Sequence, residues 1–203
     1  MKIGGITQMN ERVKDSGSKQ EFSTGAHRDN ATGKGRADLL PHIESSMAML
    51  NDPVLNNIGK FMTSRDPQFL ADAIQASAQT ISMFQYHLMV KSMMDNGIEM
   101  YIIDENEPNA KERMLSACVA HMMLESSKLY EAGADKYGAN NWKLGMPVNR
   151  YIDSGTRHYL KTIRGDIDEP HYRGFIWNLL CAMWTCNNFP EMNFEEKPVI
   201  PSK

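Results

Sequence analysis

Carboxylates four residues apart on a helix share a face, and Glu131 and Asp135 stand at that spacing. Like charges so placed repel weakly in water. The pair therefore reads either as a solvated face or as oxygen ligands for a cation such as Mg²⁺. Glu125, at the edge of the same helix's apolar stripe, is the next carboxylate in line. A second candidate is the run from His27 to Asp38, in which Gly33 and Gly35 alternate with Lys34 and Arg36. Flexible backbone beside two close cations can clamp a phosphate or carboxylate; a charged, solvated arm is the plainer reading. It is not a P-loop, because the GxxxxGK[ST] spacing and a preceding strand are both lacking.

Three further groups carry chemistry at helical spacing. His171 and Asn178 share a stripe of a largely apolar helix, where a buried Asn needs partners. They serve either polar specificity inside a bundle or the lining of a polar pocket. Asp153 and Arg157 form an i,i+4 pair that an intrahelical salt bridge suffices to explain, and His158 is not a strict face neighbour of Asp153. Tyr137 and Trp142 flank a turn rich in Gly and Asn, where they either stack a base or anchor the turn to the core.

Helices must position these groups. Residues 1–38 read as an irregular N-terminal arm with a short strand near Ile3, residues 39–187 as a single helical domain, and residues 188–203 as a tail. Pro41 opens a helix carrying Ile43, Met47 and Leu50, and residues 54–63 repeat the pattern. Asp66 caps, and Pro67 begins, a long amphipathic helix over 67–95, with Leu70, Ile74, Ala78, Ile81, Phe84 and Leu88 at steps of three and four. Residues 98–109 form a short strand or an irregular link. Helices then follow over Ala110 to Tyr137, Asn149 to Arg164 and Glu169 to Asn187. Tyr151, Ile152, Gly155, Tyr159 and Ile163 make the buried side of the second of these.

Composition bounds the function. Twenty-two Lys and Arg against 25 Asp and Glu leave a net charge of −3, which argues against a dedicated nucleic-acid binder. The polar start lacks an apolar signal region and no run is long enough to span a bilayer, so a cytoplasmic protein without a membrane partner is expected. Cys118, Cys181 and Cys186 show no CxxC spacing, which makes structural zinc and a disulfide framework poor readings. The 16 methionines concentrate between Met47 and Met123, where they mark adaptable packing.

The words Tyr130 to Gly138, Asn141-Trp142, Arg150 to Ser154, Arg157-His158, Arg164-Gly165, Asp168 to His171 and Trp177 to Leu180 together resemble a family. It is the phage and bacterial dATP/dGTP diphosphohydrolases, relatives of the all-α nucleotide pyrophosphohydrolases of MazG type. Arg36 to Pro41 is similar to that family's opening RxDLxP word. The helical stretch 42–110 departs from the usual member and reads as an insertion, and the MazG spacing of paired carboxylates three apart is not present as such.

The resemblance implies an all-α helical bundle of MazG-like type with an inserted helical region. It implies cleavage of a purine dNTP, dATP or dGTP, to the monophosphate and pyrophosphate, with Mg²⁺ (or Mn²⁺) as cofactor. Glu131 and Asp135, completed by Asp168 or Glu169, would hold the metal, and Glu125 would be a further ligand or general base. Lys34, Arg36, Lys136, Arg150, Arg157 and Lys161 would meet phosphates. Asn141, Trp142, His158, His171 and Asn178 would bind base or sugar or support the ligands. A homo-oligomer, dimer or larger, is implied, in the host cytoplasm if the chain is phage-encoded. Metal-dependent HD-type hydrolases are a different class, since no His-Asp pair is adjacent in the sequence. Two other readings compete: a non-catalytic nucleotide-binding or sequestering protein, and a helical interaction module using the Met-rich helices as an adhesive face.

Overall fold

Asp52 sets the first helix. Its Oδ1 accepts from the backbone N–H of Val54 (2.9 Å) and Leu55 (3.0 Å), and Pro53 occupies the first helical position. This is helix α1, Pro53–Ser64, which stops where Arg65 turns left-handed at φ 62°. Asp66 then accepts from the Gln68 N–H at 2.9 Å and starts α2, Gln68–Asp95. Helices α3 (Ala110–Tyr137), α4 (Val148–Arg164) and α5 (His171–Asn188) follow, with single 3₁₀ turns at Asn141–Leu144 and Pro190–Asn193. The computed structural model describes residues 19–29, 34, 37, 51–95, 97–99 and 102–193, with the side chains of all but 80–88, 92 and 193.

The expected all-α bundle is present, and the helix boundaries lie within two residues of the expected ones. Residues 98–99 and 102–109 contain turns and no strand, so the link is irregular. The strand near Ile3, the helix opened by Pro41, the outer stripe of Ile81, Phe84 and Leu88, and the tail beyond residue 193 lie outside the described residues or side chains.

Two expectations are corrected. The arm contains a hairpin in place of purely irregular chain: β1 (Lys19–Glu21) pairs antiparallel with β2 (His27–Asp29). Three-residue polar strands carry no alternation to read, and this hairpin is held mostly by distant partners. Phe22 and Ala26 pack on the main core, and the Thr24 hydroxyl donates to the Gly145 carbonyl at 2.9 Å. In α4, Tyr151, Ile152, Gly155 and Tyr159 are buried as expected but Ile163 is 52% exposed. Each four-residue step advances about 40° around a helix of 3.6 residues per turn, so by Ile163 the stripe has rotated off the core.

The main core joins Val54, Leu55, Ile58 and Phe61 of α1, Leu70, Ala73 and Ile74 of α2, and Tyr151, Ile152 and Tyr159 of α4 around Phe175, Leu179 and Ala182 of α5. A smaller cluster of Val90, Ile103, Ala110, Met114 and Cys118 closes the far end of the α2–α3 pair. The Asp52 carboxylate ties the two halves together: its second oxygen accepts from the buried Tyr159 hydroxyl at 2.7 Å. Asp52→Ala removes a cap and strands that hydroxyl. It is expected to lower stability by about 2 kcal/mol or more, read as a shifted midpoint in urea unfolding.

Candidate functional site

Helices α4 and α5 touch closely because two positions lack side chains. A Cβ on Gly155 would stand 2.9 Å from Leu179 Cδ1, and one on Gly174 would lie 2.6 to 2.7 Å from three atoms of the His158 ring. That approach lays His158, in the third turn of α4, against His171, the first residue of α5. Their Nδ1 atoms are 3.1 Å apart. Glu169, in the connecting loop, brings Oε1 to 3.2 Å from His171 Nδ1 and 3.7 Å from His158 Nδ1. Asp168 Oδ1 sits 2.7 Å from His171 Nε2, which orients this buried ring. Burial, reinforced by His171, Arg28, Arg157 and Lys161, pushes His158 down to about 3. His158 is thus a neutral imidazole at neutral pH, and its contact with Glu169 is no ion pair.

The cations that act on His158 form a wall beside it. Arg157 is bonded to the buried Asp153 at 2.5 Å, and the other Asp153 oxygen accepts from the Ala37 N–H at 2.6 Å. Lys161 Nζ is 3.8 Å from Asp168. Arg28 of β2 reaches between the Tyr151 and Trp177 rings, 5.7 and 5.6 Å from their centroids. It donates to the Arg150 carbonyl (3.2 Å) and to Asn178 Oδ1 (2.6 Å). Both acceptors are neutral, and among the described residues no carboxylate pairs with this guanidinium. Burial, then Arg157 and Arg150, lowers its pKa from the ordinary arginine value, although an arginine stays charged. Three cations thus stand near His158, two of them paired with carboxylates and Arg28 with neutral acceptors, an arrangement suited to an anion.

Several expected site residues do other work. Asn178, buried, holds Arg28 and also donates to the Gly174 carbonyl (2.6 Å) and Ser154 (3.4 Å). Arg150 donates to Gln20 of β1 at 2.7 Å. Asn141 binds the arm in place of a base, accepting from the His27 N–H (2.9 Å) and donating to the His27 carbonyl (3.0 Å). Lys136 pairs with Asp29 at 2.5 Å, and the Tyr137 hydroxyl donates to the same carboxylate. Trp142 packs edge-on against Tyr130 and Trp184, each at 5.3 Å, which anchors the turn. Lys34 is exposed, and Arg36 lies outside the described residues.

The expected metal set is divided. Glu131 and Asp135 are exposed, and neither belongs to a group of donors close enough to share an ion among the described residues. Packing explains the separation. Glu125 bonds Arg173 near the start of α5, and Tyr130 meets Cys181 at 3.6 Å, so the two helices run level in the same direction. Glu131 and Asp135 therefore sit beside the later turns of α5, at least ~15 Å along it from Asp168 and Glu169. Around α3 they also lie about 100° (Glu131) and about 140° (Asp135) from Tyr130, which ends the inward stripe of Met122, Ser126 and Tyr130. Glu125 itself is engaged by Arg173 (2.7 Å) and Lys128 (2.9 Å). The donor groups that do form are His158–Glu169–His171 and Asp166–Asp168–His171. Arg28 and Asp153 are the residues that sequence reasoning missed as site members; the run from His27 onward was the available signal for Arg28.

Residues 104–195 match the family described as dATP/dGTP diphosphohydrolase, N-terminal. That stretch, less than half of the 203-residue chain, is similar to this family. It contains α3, α4 and α5, and with them every donor of both groups, but neither the hairpin nor α1 and α2. No curated protein and no solved structure matches the chain. Among the described residues no helix is long and apolar enough to cross a membrane.

Glu125 yields a pH prediction. Burial raises its pKa, but hydrogen bonds and charges from Lys128 and Arg173 outweigh that and leave it below the ordinary 4.5. A depressed carboxylate contributes stability above its unfolded value and loses it as pH falls through the folded one. Glu125→Gln should therefore cost roughly 1–2 kcal/mol at neutral pH, with the difference from the natural chain shrinking below about pH 4.5 in a pH series of unfolding curves.

Proposed function

We infer that this protein hydrolyses a purine deoxynucleoside triphosphate, dATP or dGTP, between the α and β phosphates, releasing the monophosphate and pyrophosphate. One observation carries the reading: the neutral His158 imidazole, His171 and two carboxylates stand beside Arg28, Arg157 and Lys161, whose charge acts on His158. The match of residues 104–195 to the diphosphohydrolase family supports it.

A divalent cation held by the His158 group would supply charge neutralisation at the phosphates and a more acidic water. The chain's own residues do the rest. Arg28, Arg157 and Lys161 meet charge on the triphosphate, and the low-dielectric surroundings of Arg28 strengthen that attraction. Asp168 orients the His171 ring through Nε2. Asp153, held by Arg157 and the Ala37 N–H, docks the arm beside the site. The three thiols take no part: all are buried, and burial pushes Cys181 up to about 12 and Cys186 to about 11. A homo-oligomer in the cytoplasm completes the reading. The exposed Met94, Ile98 and Ile102 near the α2–α3 link, with Met123 and Leu124 on α3, offer apolar surface to a second copy. Light scattering is expected to give at least twice the 23.0 kDa chain mass.

Incubation with each dNTP and a divalent cation, followed by chromatography, should release pyrophosphate from dATP or dGTP. Glu169→Gln should abolish release. Lys161→Met should raise KM about tenfold, the scale of one charge-assisted hydrogen bond. Glu131→Gln with Asp135→Asn tests the exposed pair: unchanged turnover confines the chemistry to the α4–α5 site. Tight retention of unaltered nucleotide would instead identify a sequestering protein.

A further inference from the structure

We propose that His158, Glu169 and His171 bind a first-row transition-metal ion of zinc type in a tetrahedral site with one open position, and that Mg²⁺ is not the ion of this site.

The geometry comes first. The three donor atoms form a triangle with edges of 3.1, 3.2 and 3.7 Å. An ion with tetrahedral bonds of about 2.0–2.1 Å keeps its ligands about 3.3–3.4 Å apart, so this triangle is one face of such a tetrahedron. The fourth position is left for water or substrate.

The donor types agree. Two imidazole nitrogens and one carboxylate oxygen suit zinc, cobalt or iron, whereas Mg²⁺ takes oxygen ligands in a tighter octahedron, about 2.9 Å apart. The spacing of the cysteines argues against a cysteine-based zinc site, and this site uses none of them.

The surroundings orient the donors. Asp168 holds Nε2 of His171 at 2.7 Å, which turns Nδ1 toward Glu169 Oε1 at 3.2 Å and His158 Nδ1 at 3.1 Å. The His158 ring is fixed by Gly174, where any side chain would strike it. The neighbouring group of Asp166, Asp168 and His171 is the poorer candidate, because Asp166 is already bound by Arg164 at 2.6 Å.

The site is the one in the proposed hydrolase, but metal binding is read without nucleotide, so either reading can fail alone. The full chain, stripped with a chelator, is titrated with Zn²⁺, Co²⁺ and Mg²⁺ by calorimetry. Co²⁺ is also followed by its visible ligand-field absorption. One equivalent of Zn²⁺ should bind at least ~100-fold more tightly than Mg²⁺, and Co²⁺ should give the intense bands of a tetrahedral site. Asp168→Asn should weaken binding about 10–100-fold. Because His171 is buried, the partly exposed Glu169→Gln carries the decisive test, with circular dichroism confirming its fold. Loss of the cobalt bands in that variant supports the site. Zinc bound no more tightly than magnesium, or cobalt bands unchanged in Glu169→Gln, would overturn it and leave a hydrogen-bonded imidazole pair. Pyrophosphate release supported by Mg²⁺ in a chain that binds no zinc would sink the metal assignment while sparing the hydrolase.

Discussion

The contact between α4 and α5 at Gly155 and Gly174 is the constraint on which the rest of the structure depends. Helices carrying side chains at both positions would stand farther apart. At this separation Asn178 bonds the Gly174 carbonyl and Ser154 of the opposite helix, so its buried amide is satisfied. The same separation makes His158 and His171 neighbours. A packing requirement thus positions chemical groups whose own attraction is too weak to assemble them.

Charge in the interior follows from what that seam encloses. Asp153 is buried and balanced by Arg157 and by the backbone of Ala37. Among the described residues, Arg28 donates to neutral acceptors and lies over two aromatic faces. The charges of Arg28, Arg157 and Lys161 add to burial in disfavouring a proton on His158.

Much of the fold is legible in the sequence. Asp66-Pro67 and Gly138 mark helix ends that the structure reproduces. Of the apolar spacing Leu115, Cys118, Val119, Met122, Ser126 and Leu129 in α3, Cys118, Met122 and Ser126 are buried and the rest partly so. Buried His171 and Asn178 stand out because polar groups on an apolar helix need partners. What escaped notice depends on tertiary contact. The hairpin has too few residues for a period, and Arg28 gains meaning only when β2 meets α5. Glu131 and Asp135 look like ligands because spacing reports a shared face without reporting where that face points. His158 and Glu169, by contrast, meet only because a loop and two helix turns happen to close on one another, which no local spacing records.

The docked hairpin bears on where this domain ends. Arg28 is 122 residues from the carbonyl it binds on Arg150 and 150 from Asn178, and it lies outside the segment that matches the diphosphohydrolase family. A boundary drawn by sequence similarity therefore cuts through the electrostatics of the site. The matched helices supply the imidazoles and carboxylates, while the arm lends Arg28, one of the cations whose charge reaches His158. Evolution of the arm, including the residues that latch it at Gln20, His27 and Asp29, can retune affinity for anions without altering any residue of the helical segment.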